Sequence, residues 1–254
     1  MNASPIFVHS VPILLPSDGL VGGLSVVIDV LRATTVMVHA VDSGVRAIVP
    51  CLEVEDARLS AAAFPVEERL LGGERKGLPI EGFDLGNSPA SYTPERCRDR
   101  TLVMTTTNGT RALLASLGAE VRLVAAFVNL SATVRAIEDR AGPRPVHLVC
   151  SGTDGQISLE DTLLAGAIAS RLSSRAGRLA NDEARMAARL WELLEIEGEA
   201  AEDRLYRALS DGRGGRRVRE IGLDTDLRDA CRIDRFDFAL EVLDAPPRVV
   251  RLGV

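Results

Sequence analysis

The sequence predicts an α/β fold, a three-layer α/β/α arrangement around a largely parallel or mixed sheet, and three observations carry that expectation. Apolar runs of four to seven residues recur, such as SVVIDV at 25–30 and VHLVC at 146–150, and such runs suit strands covered on both faces. These runs alternate with segments of helical spacing through short connections, as parallel strands joined by crossover helices require. A faint internal echo is also present. Strand, Thr/Arg-rich turn, helix, glycine and strand run from Val26 to Val49 and again from Leu102 to Phe127. The echo fits either a duplication into two similar subdomains or two ordinary βαβ units.

Taken in order, residues 25–30 form the first core strand. A helix of about two turns follows, with Thr34 as its N-cap, Val36, Met37, Ala40 and Val41 as its apolar stripe, and Gly44 closing it. Strands are expected at 45–49, 102–105, 121–127 and 146–150, and helices near 110–117, 131–140 and 159–172. In the last helix Leu164, Ile168 and Leu172 are spaced by four, and Ser158 with Asp161 makes a capping-box variant. Residues 64–100 interrupt the alternation with Gly72, Gly73, Gly77, Gly82 and Gly86 and four prolines. A long irregular stretch inside a compact domain is usually functional. From 175 to 210 the composition shifts to Ala, Arg, Glu and Leu, which predicts two amphipathic helices broken near Gly198. Residues 211–217 (DGRGGRR) read as a flexible turn whose Arg213, Arg216 and Arg217 suit solvent better than an anion. The tail 218–254 mixes short strands with Pro246 and Pro247. The chain reads as one domain, 1–254, with its motif-bearing core at 24–172 and a helical and mixed part at 173–254.

With 254 residues, 46% of them hydrophobic and 26% charged, the chain has the composition of a folded globular domain and not of a disordered one. Its formal charge of −6 would repel nucleic acid and anionic membrane, so neither is expected as a partner. Any anionic substrate must be drawn by a local site, and a homodimer is one expected state. No apolar run of 18 residues and no basic leader segment occur, which predicts a cytoplasmic protein. Cys51, Cys97, Cys150 and Cys231 are widely scattered and fit buried reduced thiols. His9, His39 and His147 show no metal-ligand spacing, which argues against zinc. A metal here would be held by carboxylates, which select a hard cation such as Mg²⁺. Neither G-x-x-x-x-G-K-[ST] nor G-x-G-x-x-G occurs.

Four polar clusters remain, three of them at the C-terminal ends of predicted strands, where open α/β sheets bind ligands. In the first, Asp29, Arg32, Thr34 and Thr35 could hold Mg²⁺ and a phosphoryl group side by side; the plain alternative is an Asp29–Arg32 ion pair with Thr34 as a cap. The second, Thr105 to Arg111, offers Thr107, Asn108, Gly109 and Arg111 as an anion cradle. The third joins Cys150, Ser151 and Gly152 to Glu160 and Asp161, either acid lying within reach of the same sheet edge. The fourth is the irregular segment, where Glu74, Arg75 and Asp84 stand among glycines that let the backbone approach a ligand. The oxygen ligands of a metal would include Asp29, with Glu74 or Asp161.

The stretches VVIDVLRATT, LGGER-K-G, GFDLGNSP, TTTNGTRAL and VCSGTDGQISLEDTLLAG run in order across residues 24–172. Through them the chain resembles the 2-phosphosulfolactate phosphatase family, the ComB proteins of coenzyme M and sulfolactate metabolism. The C-terminal third matches loosely, through Asp226 to Cys231. Members usually read Cys-Ala-Gly where this chain has Cys150-Ser151-Gly152. The resemblance implies a Mg²⁺-dependent hydrolase that turns (R)-2-phospho-3-sulfolactate into 3-sulfolactate and phosphate, on a three-layer fold unlike the common phosphatases. In keeping with this, Asp29 is followed two residues on by Leu31, where haloacid-dehalogenase-type phosphatases carry a second aspartate. From the residues, Asp29, Glu74 and Asp161 are the expected catalytic and metal-binding groups. Arg32, Thr34, Arg75, Thr107, Asn108, Gly109, Arg111, Ser151 and Gly152 would bind the small anionic phosphate ester. Two other readings stay open: a phosphatase for another small phosphorylated acid, and a non-catalytic anion-binding protein on the same scaffold.

Overall fold

The computed structural model describes residues 4–16, 20–175, 177–196, 198, 200–244 and 246–253; the first three residues of the segment inspected for a leader lie outside them. Strand β1 (Pro5–His9), which the spacing did not predict, leads to β2 (Leu24–Ile28) and helix α1 (Ala33–Asp42). α1 is buried from Ala33 to Val41, as a helix apolar nearly all round must be. Thr34 does not cap it. The position before the helix is Arg32, and Thr34 Oγ1 donates to the Asp29 carbonyl at 2.8 Å and accepts the Asp29 N–H at 3.1 Å. β3 (Ala47–Pro50) and α2 (Val54–Ala61) follow. α2 escapes a periodicity search because only Ala57 and Ala61 of it are buried.

The glycine-rich stretch is more regular than its composition suggests. β4 (Arg69–Arg75) and β5 (Leu78–Pro79) form a hairpin, and a short α3 (Pro94–Cys97) precedes β6 (Thr101–Thr105). β4 runs parallel to β6 with Gly73 opposite Thr105, and a Cβ on Gly73 would stand 1.9 Å from the Thr105 carbonyl oxygen. A glycine that reads as a loop residue is here what admits a strand. Next come α4 (Gly109–Ala115), β7 (Val121–Ala125), α5 (Leu130–Ala141), β8 (Val146–Cys150) and α6 (Leu159–Ser173), close to the expected bounds. They lead through β9 (Arg178–Leu179) to the amphipathic α7 (Asp182–Leu193) and α8 (Ala201–Asp211).

Residues 211–217 are not a flexible turn, since α9 (Arg213–Glu220) begins within them and α10 (Asp224–Ala230) follows. Packing overrides the poor helix propensity of glycine here. Gly214 and Gly215 are buried, and Cβ atoms on them would fall 1.9 Å from Glu160 Oε1 and from the Leu209 carbonyl oxygen. A hairpin of β10 (Leu240–Leu243) and β11 (Arg248–Arg251) ends the chain.

These strands form one sheet in the order β5-β4-β6-β3-β11-β10-β7-β2-β8-β1-β9. β4, β6 and β3 are mutually parallel, as are β7, β2, β8 and β1, and the antiparallel β10–β11 hairpin between the groups makes them run oppositely. The internal echo corresponds to two crossovers between the groups, β2 through α1 to β3 and β6 through α4 to β7. Alternation of side chains along the strands divides the core into layers. Val27, Ile48, Leu102, Met104 and Val124 face α1 and α4; Ile6, Val26, Leu123 and Leu148 face α5 to α10; Val103 faces α2. The architecture is thus α/β/α with a mixed sheet. All four cysteines are buried free thiols, and no helix among the described residues is long and apolar enough to cross a membrane.

Candidate active site

Five loops and one helix meet at a single cleft. Its lining comes from the β2–α1 loop (Asp29, Leu31, Arg32), the end of β4 with its turn (Glu74, Lys76, Gly77), the β6–α4 loop (Thr106, Thr107, Asn108) and the β8–α6 loop (Thr153, Asp154). Asn87, the α9 face carrying Gly214, Arg217 and Val218, and Ile221 just after that helix complete it. Those last four residues follow the i, i+3, i+4, i+7 spacing of one helical face.

Hydrogen bonds between loops set the cleft's shape. Glu74 Oε1 accepts the Thr107 N–H and Oε2 the Gly77 N–H, each at 2.6 Å. Arg32 Nη2 donates to the Gly77 carbonyl at 3.0 Å, and the Asp154 N–H donates to Asn108 Oδ1 at 3.3 Å. Asp29 lies so close to α4 that a Cβ on Gly109 would stand 2.7 Å from its Oδ2.

Buried carboxylates dominate the electrostatics. Burial, with the Glu74 charge adding to it, pushes the Asp29 pKa up to about 6, while the Ala33 N–H at 3.2 Å, Ser151 and Arg32 pull the other way. Burial raises Glu160 to about 7, and the Asp29 charge adds to this; its Oε2 has no hydrogen-bond partner among the described residues. Asp161 is pushed up by burial and then by Asp29 and Glu160. No capping box forms at the start of α6. Asp161 Oδ1 accepts the Val30 N–H at 2.9 Å, and Oδ2 accepts Ser151 Oγ–H and the Gly152 N–H, each at 3.0 Å. Ser158 Oγ instead lies 2.7 Å from Thr153 Oγ1.

Arg32 does not pair with Asp29. Its Nη1 donates at 2.7 Å to Oδ2 of Asp226, a fully buried α10 residue whose Oδ1 accepts Ser88 Oγ–H at 2.6 Å. The histidines stand apart from the cleft: His39 packs edge-on against Phe236, its pKa lowered to about 4 by burial, and His9 lies 3.0 Å from His147.

The structure therefore brings Asp29, Arg32, Glu74, Thr107 and Asn108 together. Seven other expected site residues fall outside the lining. Arg75 donates to the carbonyls of Glu74 and Leu52 and to Thr105 Oγ1, and Arg111 is exposed on α4. Thr34, Asp161, Ser151 and Gly152 bind loop backbone or one another, and Gly109 leaves room beside Asp29 that a Cβ would fill. Sequence reasoning passed over Lys76, Asn87, Arg217 and Asp226 as site residues. Lys76 and Asn87 stand inside the glycine-rich motifs, where a signal was available; the fold of the C-terminal helices brings Arg217 to the cleft and Asp226 to Arg32 behind it.

No group of three or more His, Cys, Asp or Glu side chains among the described residues is arranged to hold a metal ion. The cleft nevertheless offers oxygen donors: Asp29, Glu74 and Asn87 Oδ1, which is buried and has no hydrogen-bond partner. A buried carbonyl oxygen without a protein donor is commonly satisfied by an ordered water or an ion. Two carboxylates and an amide oxygen suit a hard cation that keeps waters and takes phosphate oxygens as further ligands. Asp161 fits such a cation less well, because it lies outside the lining.

Comparison with known proteins agrees with the resemblance. A family model described as 2-phosphosulpholactate phosphatase matches residues 10–244. A protein of Parasynechococcus marenigrum (strain WH8102) named probable 2-phosphosulfolactate phosphatase is 40% identical over 232 residues, 91% of this chain and 93% of the relative. Relatives of the same name from Synechococcus sp. (strain JA-2-3B'a(2-13)) and Caldanaerobacter subterraneus subsp. tengcongensis are 39% and 37% identical. The first covers 96% of this chain and 95% of its own length, the second 84% of each.

Proposed function

The chain belongs to the 2-phosphosulfolactate phosphatase family, and from that premise we propose that it hydrolyses (R)-2-phospho-3-sulfolactate to 3-sulfolactate and phosphate with Mg²⁺ as cofactor. In this reaction a water oxygen bonds to phosphorus, the ester P–O bond breaks, and the leaving oxygen takes a proton. The observation that carries the proposal is the meeting of Asp29, Glu74, Asn87 and Arg32 in one cleft. Mg²⁺ held by Asp29, Glu74 and Asn87 Oδ1 would supply charge neutralisation at the phosphoryl oxygens.

The chain's own groups do the rest. Asp226 and the Gly77 carbonyl hold the Arg32 guanidinium in one orientation, and from there it stabilises charge on the phosphoryl group. Glu74 ties the turn at Gly77 to Thr107 and keeps both walls of the cleft at a fixed spacing. Asp29, with Oδ1 fixed by the Ala33 N–H, turns its ionised carboxylate toward the reacting centre.

Phosphate release from 2-phosphosulfolactate and a panel of small phosphate esters, before and after chelation and with Mg²⁺ restored, tests this. Release that favours 2-phosphosulfolactate, stops with EDTA and returns with Mg²⁺ is expected. Preference for an ester without sulfonate, or release indifferent to EDTA, would replace the substrate or the metal respectively.

A further inference from the structure

The turn joining β4 to β5 breaks a local rule. Lys76 and Gly77 are its two central residues, with φ of 54° and 83°, the pattern of a type I′ hairpin turn, whose first position favours Asn, Asp or Gly. A lysine there holds a left-handed backbone that its side chain disfavours, and such strain gathers at ligand sites. Lys76 is the chain's only lysine. Its side chain is exposed, lines the cleft, and takes part in none of the ion pairs among the described residues.

Gly77 gathers two further cations. Its carbonyl accepts from Arg32, and a Cβ on it would lie 3.7 Å from Arg217 Nε. The two arginines differ in what neutralises them. Arg32 faces a carboxylate with no exposure, which cannot leave. Arg217 is paired at 2.9 Å with Asp154, whose side chain is 52% exposed. A solvated pair of that kind contributes little, so a ligand anion can replace Asp154 at small cost. Two positive charges beside Gly77 are therefore open to a ligand.

We propose that Lys76 and Arg217 are specificity-determining residues that read the anionic groups of the substrate other than the phosphate being removed. The substrate class is then phosphate esters carrying at least one further fixed negative charge, and the assignment rests on the phosphatase reading above. Arg217 exchanges Asp154 for two oxygens of a sulfonate or carboxylate, which its planar fork matches, while Lys76 supplies a mobile point charge.

Lys76→Asn removes the charge and suits the left-handed turn, and Arg217→Gln removes the other charge at a half-buried position with little change of shape. For each full-length variant, the ratio of kcat/KM for 2-phosphosulfolactate to that for glycerol 2-phosphate should fall about ten- to a hundredfold, through KM. A ratio equal to wild type in both variants overturns the assignment. Calorimetric titration with 3-sulfolactate, which has no phosphoryl group, separates this from the reaction itself. Weaker 3-sulfolactate binding by both variants supports the assignment even if the wild type released no phosphate from 2-phosphosulfolactate, a result that would overturn the proposed reaction alone. Equal binding by wild type and variants, or no binding by the wild type, overturns the assignment even in an active phosphatase.

Discussion

At the scale of single residues, charge and shape can be separated at Asp29. Asp29→Asn keeps the volume and the contact with the Ala33 N–H but removes the anion, so phosphate release should drop by three decades or more while cooperative thermal unfolding stays near the wild-type temperature. An active Asp29→Asn enzyme would move the chemistry elsewhere. Glu160 gives a pH prediction of a different kind. Its folded pKa of about 7 lies above the ordinary glutamate value of 4.5, so between those values the folded state binds more protons than the unfolded. Stability is therefore fully present below about pH 4.5 and falls as pH rises through 7. Glu160→Gln removes that loss, and its stability relative to wild type in urea titrations should grow from pH 5 to pH 8 by about 1–3 kcal/mol. A constant difference would mean that Glu160 ionises freely. The sequence singled out Asp29, Glu74 and Asp161 alike, Asp29 and Asp161 by residue type near a predicted strand end and Glu74 by its place among the glycines of an irregular segment. The structure separates Asp29 from Asp161: Asp29 lines the cleft with the Ala33 N–H on its Oδ1, whereas Asp161 lies outside the lining and is engaged by Val30, Ser151 and Gly152.

At the scale of elements, legibility followed periodicity. β2, β8 and α6 stand where their apolar runs lie, while α2, β4 and α9 do not announce themselves, each for a packing reason. α2 buries only alanines, β4 passes β6 on glycines, and α9 sits on Glu160 and Leu209 through Gly214 and Gly215. A substitution at Gly73 tests the account of β4. At φ 136° a Cβ would meet the Thr105 carbonyl, a backbone atom that cannot swing aside. Gly73→Ala should cost roughly 2–4 kcal/mol, lowering Tm by about 5–10 °C, and should lower turnover as well because Glu74 is the next residue. Gly222→Ala is the control: φ is 79° with nothing within 4 Å of the added atom, so it carries only the left-handed penalty of about 1–2 kcal/mol and leaves turnover alone. Equal losses in the two variants would count against the close β4–β6 approach.

At the scale of the whole molecule, the proposed reaction asks a chain of net charge −6 to bind an ester with several negative charges, and magnitudes decide which field governs. Six charges acting from about 20 Å in water repel each substrate charge by about 1 kcal/mol without salt, and by roughly 0.2 kcal/mol once a 10 Å screening length applies. One cation about 4 Å from an anion near a protein surface gains about 4 kcal/mol before desolvation. The local field at Gly77 therefore wins, and screening weakens attraction more than it relieves repulsion. The KM for 2-phosphosulfolactate should rise several-fold between about 0.05 and 0.5 M salt at constant free Mg²⁺, with kcat little changed. In the Lys76→Asn, Arg217→Gln double variant the rise should flatten, because the two exchangeable charges are gone while Arg32 remains shielded by its buried partner. A KM that falls with salt in the wild type would show that the overall negative field governs encounter, and that the basic run in α9 serves solvation, as its composition alone suggested.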